Sequence, residues 1–360
     1  MKQYTSLYFV GAGGIGMSAL VRYFLAKGYK VAGYDRTQSP LTTELKTEGL
    51  EIVYEESVES IPDYCRNPET TLVVYTPAIP ASHAGLVYFR EHGFRVVKRA
   101  ELLGLITQSS RGLCFAGTHG KTTTSSMAAH IFHESPIGCN AFLGGILRNY
   151  NSNLILSEQS PFTVIEADEY DRSFHWLHPY MAVVTATDPD HLDIYGTEEA
   201  YLESFAHFTS LIQPGGCLIM KKGIRLVPNV KEGVKIYTYS ARDGGDFHAG
   251  NIRIGDGTIV FDFVTPEGVF ADIELGVPVE INIENAVAAM AIAWLNGVSG
   301  DNLRRAMASF KGAKRRFEFW VRRPDRVMID DYAHHPDELK ASIRSVKALY
   351  PGRRLSVIFQ

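Results

Sequence analysis

Short apolar runs alternate with longer amphipathic stretches over the first hundred positions. SLYFVGAG (6–13) predicts a strand, and GMSALVRYFLAKG (16–28) a helix closed by Gly28. KVAGYD is the next strand and ends in Asp35; LTTELKTEG predicts a helix, and TLVVYTPAIP a buried strand running into a loop. HAGLVYFREHG reads as a helix, and RVVKRAELLGLI as one strand running into another. Such alternation argues for a parallel sheet with helices on its faces.

The pattern restarts near residue 109, after SSRG, which reads as a linker. LCFAG is an apolar strand, THGKTTTSSMAAHIF a glycine turn and helix, and FTVIEAD and MAVVTATD are buried strands ending in acids. Between about 213 and 280 the pattern becomes strand-rich: KIYTYSA, DFHAGNIRI, TIVFDFVTP and GVFADIEL suggest an insert. NIENAVAAMAIAWLNG is then a helix ended by glycine. From about 325, VMIDDYAHHP reads as strand and loop, PDELKASIRSVKALYPG as a helix, and RRLSVIFQ as a further strand. Two strands and one helix leave an open sheet edge and little core, so this last unit reads as the start of an incomplete domain. The expected division is 1–108, 109–324 and 325–360.

Composition narrows the class. A chain of 360 residues, 45% hydrophobic and 21% charged, suits two or three globular domains. Its net charge of −4 provides no basic surface for nucleic acid. Cys65, Cys114, Cys139 and Cys217 are far apart, which fits buried reduced thiols rather than a disulfide framework or zinc site. No signal peptide and no apolar run long enough for a membrane span is predicted, so a cytoplasmic protein is expected.

Two glycine loops carry candidate chemistry. The first, GAGGIG, places Gly11, Gly13 and Gly16 in a G-x-G-x-x-G pattern between strand and helix, a geometry that serves any diphosphate. Asp35 stands near the distance of a ribose-binding acid, so a nicotinamide dinucleotide is one reading. The second, Gly117-Thr118-His119-Gly120-Lys121-Thr122-Thr123, is a shortened phosphate loop with Phe115 where the full motif has glycine. Its glycines let backbone N–H groups close on phosphate oxygens, and Lys121 adds a positive charge. Thr122 offers a hydroxyl to Mg²⁺. Since this loop accounts for ATP, the first is left for another phosphorylated ligand.

Acids follow later strands. VIEADEYDRSF holds Glu166, Asp168, Glu169 and Asp171, and Glu166 at a strand end suits a metal ion. VVTATDPDHLDIYG places His191 among Asp188, Asp190 and Asp193. Asn282 and Asn285 start a helix; Arg315 and Arg316 lie in KRRFEFW; Asp330, Asp331, Tyr332, His334 and His335 share one strand-to-loop junction. Each of these last groups also fits a helix cap, a surface cation or a simple turn.

Taken together, GTHGKTTT, EADEYDRSF, DPDHLDIYG, NIENAVAA, KRRFE and DYAHHP resemble the Mur ligase family of ATP-dependent amide ligases, in order and over nearly the whole chain. The resemblance implies an α/β protein. A Rossmann-like N-terminal domain would bind UDP-N-acetylmuramate. A central P-loop ATPase-type α/β domain with a β-rich insert would bind ATP and Mg²⁺, and a truncated Rossmann-like C-terminal domain would follow. The VGAGGIGMS loop and DHLDIYG favour the branch that adds L-alanine over the one that attaches a recycled tripeptide. The implied chemistry is phosphorylation of the muramoyl carboxylate, followed by amine attack on the acyl phosphate. A nucleotide-binding chain without turnover is the further alternative.

Carried over motif by motif, Lys121, His191 and Arg316 are the implied catalytic residues. Gly117 to Thr123, Asn282, Asn285, Arg316 and Asp331 are the implied ATP contacts. The UDP-sugar falls to Gly11, Gly13, Gly14, Ile15, Gly16, Asp35, Thr76, His119 and Glu169. Tyr332 and His334 line the implied amino-acid pocket, and Thr122, Glu166 and His191 hold the metal.

Overall fold

A computed structural model of the chain describes residues 3–255, 257–333 and 336–359. The first sheet contains β1 (Ser6–Val10), β2 (Lys30–Tyr34), β3 (Glu51–Val53), β4 (Thr71–Tyr75) and β5 (Arg95–Lys98), all parallel in the order β3-β2-β1-β4-β5. Helices α1 (Ile15–Ala26), α2 (Pro40–Thr47), α3 (Ala84–Glu91) and α4 (Arg99–Gln108) connect or follow the strands. All five residues of β1 are buried, as expected for a strand covered on both faces. The chain builds outward from β1 through β2 and β3, then returns to its other side with β4. That reversal parts the loops at the strands' carboxyl ends and leaves a crevice.

The second sheet has ten strands: β6 (Arg111–Ala116), β7 (Asn140–Leu147), β8 (Ser152–Ile155), β9 (Phe162–Glu166), β10 (Pro179–Val184), β11 (Cys217–Lys221), β12 (Lys235–Ser240), β13 (Phe247–Gly255), β14 (Thr258–Thr265) and β15 (Gly268–Glu274). With it go α5 (Lys121–His133), α6 (Leu192–Tyr195), α7 (Glu198–Ser210), α8 (Ile281–Leu295) and α9 (Gly300–Ser309). β6 lies between β9 and β10, which makes a second reversal point beside the loop that follows β6. The strand-rich stretch continues this sheet. β11 and β12 extend its parallel part, and β13 to β15 form an antiparallel edge. In β14, TIVFDFVT buries alternate residues, the period-two signature of a strand with one covered face. The chain then forms a hairpin of β16 (Glu318–Arg322) and β17 (Val327–Asp330), followed by α10 (Pro336–Leu349).

Two apolar clusters matter for function. One packs α5, α8 and α9 against the central sheet, with Val287, Met290 and Ile292 of α8 fully buried. The other runs without interruption from the first sheet (Phe9, Leu20, Phe24) to the central one (Phe142, Ile165, Phe174, Phe205). Tyr23 of α1 meets Phe142 of β7 edge-on at 5.1 Å between ring centroids. The two sheets therefore share a core.

Three expectations are corrected. Residues 99–108 form α4 and not a second strand. Ala100, Leu103 and Ile106 recur at helical spacing and are buried, whereas a strand there would need a ladder partner. SSRG is shorter than a linker, because Arg111 and Gly112 already belong to β6 and Arg111 N–H donates to the Pro161 carbonyl. RRLSVIFQ is not a strand over its described residues, 353–359. No ladder forms there, and Ile358 is 98% exposed. The four cysteines are free and buried as expected, and burial pushes the thiols of Cys65 and Cys217 up to about 12. Among the described residues no helix is long and apolar enough to cross a membrane.

Gly104 lets α4 rest on the turn at 170–176: a Cβ there would lie 2.3 Å from the Trp176 carbonyl oxygen. Gly104→Ala should therefore destabilise the chain by about 1–3 kcal/mol, seen as a lower urea midpoint. An unchanged midpoint would contradict this packing.

Candidate functional site

One cavity of about 790 Å³ opens at the first reversal point and reaches Glu166 and Asp168 at the end of β9; none of residues 117–123 lines it. Gly11, Gly14 and Gly16 of the first loop line one side, Tyr34, Glu56 and His83 one end, and Gly144, Glu166 and Asp168 the other. The first loop needs glycine for steric reasons. Gly11 has φ +90°, and a Cβ on it would lie 2.7 Å from Thr76 Cγ2. At Gly13 a Cβ would lie 2.5 Å from Thr42 Cγ2 and 2.9 Å from Asp35 Oδ2. Asp35 Oδ2 accepts a 2.7 Å hydrogen bond from the Gly13 N–H, so this acid braces the glycine turn. Ile15 and Thr76 line the same wall.

The second loop is held from below. Gly117 and Gly120 have φ +138° and +83°, backbone that glycine adopts with least strain. Thr118 N–H donates to Ala186 O, the Thr118 hydroxyl to Asp188 O at 2.7 Å, and the Thr185 hydroxyl to His119 O. Asn285 and Asn282 are buried beneath it. Asn285 Oδ1 accepts from the Thr124 hydroxyl at 3.2 Å, its amide donates to Asn282 Oδ1, and the Asn282 amide donates to Val277 O. Asn285 Oδ1 also lies against Gly120, 2.9 Å from where a Cβ would stand, with Asn282 one step behind it. Thr123 follows Thr122 in the first turn of α5.

Two carboxylates meet this loop. The Thr122 hydroxyl donates to Glu166 Oε1 at 2.8 Å, and the Gly144 N–H to Glu166 Oε2 at 3.1 Å. Lys121 Nζ lies 2.7 Å from Glu169 Oε2 and donates to Gly117 O at 2.7 Å. His191 Nε2 stands 4.0 Å from Glu169 Oε1 and 3.7 Å from Asp190 Oδ2. The three residues expected to hold a metal thus divide: Thr122 and Glu166 touch, and His191 sits by Glu169. Burial pushes the carboxyls of Glu166 and Glu169 above the ordinary carboxylate range, against the opposing pull of Thr122 and Lys121.

KRRFE and the segment after β17 form a separate cluster. Phe317 N–H donates to Asp331 Oδ1 at 3.3 Å, Tyr332 N–H donates to Arg315 O, and Arg316 stands 6.0 Å from the Tyr332 ring. Backbone hydrogen bonds from Arg148 to Gly312 and from Lys314 to Ile146 stitch this segment to β7. Near Gly145 the two clusters come close, because a Cβ on that glycine would lie 3.3 Å from Ala313 and 3.6 Å from Thr122 Cγ2. His334 lies outside the described residues.

Sequence reasoning missed Arg99, Glu56 and His83, all of which line the cavity. Arg99 directly follows β5 at the carboxyl edge of the first sheet, a position that marks it once the strand's end is placed correctly.

Residues 6–111 match the Mur ligase family catalytic domain, 115–293 the Mur ligase middle domain and 315–360 the Mur ligase glutamate ligase domain. The chain is 65% identical to a UDP-N-acetylmuramate–L-alanine ligase of Parabacteroides distasonis, over all of this chain and 78% of that protein. It is 62% identical to a protein of the same name from Phocaeicola vulgatus, over 99% of this chain and 77% of the other. The crystal structure of UDP-N-acetylmuramate-alanine ligase from Thermotoga maritima superposes with a TM-score of 0.82 at 25% identity, covering 96% of this chain and 78% of that one.

The raised carboxyl of Glu166 gives stability a pH dependence. Its contribution is complete below the unfolded value near about 4.3 and is lost as pH rises through the higher folded value. Glu166→Gln should flatten the fall in thermal midpoint as pH rises above about 4. Equal slopes in the two proteins would show that Glu166 does not titrate in this way.

Proposed function

The chain belongs to the Mur ligase family, and from that premise we propose that it joins L-alanine to UDP-N-acetylmuramate in an ATP-dependent step of peptidoglycan precursor synthesis. The observation that carries this reading is the continuity of one cavity. It runs from the first glycine loop to Glu166, and Glu166 is hydrogen-bonded to Thr122 of the phosphate loop. A nucleotide sugar with its diphosphate on Gly11 to Gly16 would bring its carboxylate towards the terminal phosphate of ATP. We assign residues 1–108 to the UDP-sugar, 109–324 to ATP and 325–360 to the joint ATP and amino-acid region.

The chemistry follows from what a carboxylate lacks, namely a leaving group. A carboxylate oxygen attacks the γ-phosphorus, and the bond from that phosphorus to the β,γ-bridging oxygen breaks to release ADP. The amine of L-alanine then attacks the acyl carbon. The tetrahedral adduct collapses with loss of phosphate, and the nitrogen sheds a proton. Two anions must approach, so positive charge and positioning govern the rate. Lys121 provides that charge at the phosphate loop. Residues 117–123 would cradle the phosphates, with Asn282 and Asn285 keeping the loop in shape. Arg316 and Asp331 would approach ATP from the hairpin side, and Tyr332 and His334 the amino acid. His119, Glu169 and His191 would border the reacting groups.

For Mg²⁺, the adjoining Thr122 hydroxyl and Glu166 carboxylate form a hard oxygen pair beside a phosphate loop, the donor set this ion takes when phosphates complete its shell. The two residues would hold the ion, which when bound offsets negative charge on the phosphates. His191, 4.0 Å from Glu169 Oε1, would be the third residue of this shell.

Phosphate release from ATP should require both UDP-N-acetylmuramate and L-alanine, and Lys121→Met should reduce it by roughly 10²–10³-fold. Release that needs a tripeptide in place of L-alanine would reassign the substrate. Calorimetric binding of both nucleotides without release would mark a binding-only chain.

A further inference from the structure

Arg99 begins α4, and its side chain turns back towards the first glycine loop. A Cβ on Gly16 would lie 2.7 Å from Arg99 Nη1 and 3.1 Å from Cζ, so the missing side chain at Gly16 is what makes room for the guanidinium. The half-buried arginine lines the cavity. Neighbouring cations are already paired: Arg95 with Glu101 at 3.3 Å, Lys98 with Asp171 at 2.7 Å and Lys121 with Glu169 at 2.7 Å. Among the described residues, Arg99 has no such carboxylate within ion-pair distance.

The cavity's own charge sharpens the point. Asp35, Glu56, Glu166 and Asp168 line it, and the other cation on its wall, Arg36, is exposed. A ligand bearing a diphosphate would meet net repulsion there without a positive group near the loop. The planar guanidinium donates through two parallel N–H groups, which matches the oxygens of a phosphate.

We propose that Arg99 binds the diphosphate of the nucleotide sugar, across the cavity wall from Gly11 and Gly14. The inference rests on the reading of the cavity as the UDP-sugar site and adds to it the residue that supplies the charge. The backbone N–H groups of the loop set where the diphosphate lies; Arg99 neutralises it and keeps it clear of the acids at either end.

Calorimetry on the whole chain with uridine, UDP, UDP-N-acetylglucosamine and UDP-N-acetylmuramate tests this. Arg99→Gln should weaken UDP binding roughly 10- to 100-fold, the range for a charge-assisted hydrogen bond. Uridine, which carries no phosphate, should bind Arg99→Gln as it binds the wild type. Arg99→Lys should recover part of the loss, and added salt should narrow the gap between the variants. Equal UDP affinity in Arg99→Gln and wild type overturns the proposal. So does a parallel loss for uridine and UDP, which would mark a structural role. Loss confined to the advantage of UDP-N-acetylmuramate over UDP-N-acetylglucosamine would place Arg99 on the muramoyl carboxylate, and also overturns it. A wild-type chain that binds none of the four ligands refutes the reading of the cavity itself.

Discussion

The seam between α1 and the edge of the central sheet sets the distance between the two glycine loops. Its apolar part joins Leu20, Tyr23 and Phe24 to Phe142 and Leu154. Its polar part is Asn153, 1% exposed, whose side-chain amide donates to the Ile15 carbonyl and to the Ser18 hydroxyl. Ile15 is the first residue of the helix that the first glycine loop opens. The apolar contacts provide most of the energy, at about 25 cal/mol per Å² buried, while one buried hydrogen bond contributes only about 1 kcal/mol. Apolar packing tolerates sliding, however, whereas a hydrogen bond has a length. Asn153 therefore fixes the register at which the first loop faces the second.

Around the second loop the chain accepts strain and buried charge together. Asp171, Arg172 and His191 all have left-handed backbone, with φ of 52°, 53° and 52°. For residues with a side chain this costs about 1–2 kcal/mol each. Lys98 holds Asp171, and the Arg172 guanidinium lies 4.7 Å above the Tyr195 ring. Tyr195 in turn donates its hydroxyl to the Glu169 carbonyl. These contacts hold in place the short turn that presents Glu169 to Lys121. A buried carboxylate without that lysine would favour its neutral form, so the charge pair and the strained turn depend on one another.

Both glycine loops, the acids after β9 and the histidine after β10 were legible from local chemistry. Each is a short word whose residues act through their own backbone or side chain, and the strand-turn-helix context around Gly120 could be read directly. The stretch at 95–106 was not legible, because RVVK and RAELLGLI are both apolar runs too short for periodicity to separate strand from helix. Arg99 disappeared with that misreading. Asn282 and Asn285 were visible as polar residues in an apolar helix, but nothing local says that Asn285 meets Thr124, 161 residues earlier, at the helix that follows the second glycine loop.

The amino-acid sequence by itself determined which segments are glycine turns between strand and helix, which strands are buried and where acids stand at strand ends, since these depend on neighbours within a few positions. The tertiary structure alone decided that β1 and β6 sit where strand order reverses, that the cavity beside the first loop ends at the carboxylate that Thr122 of the second loop binds, and that Arg99 lies against Gly16. Strand order joins positions such as Ser6 and Thr71, and the seam through Asn153 joins positions 138 residues apart. Their energy comes from surfaces that exist only once both partners have folded, and no local pattern records them.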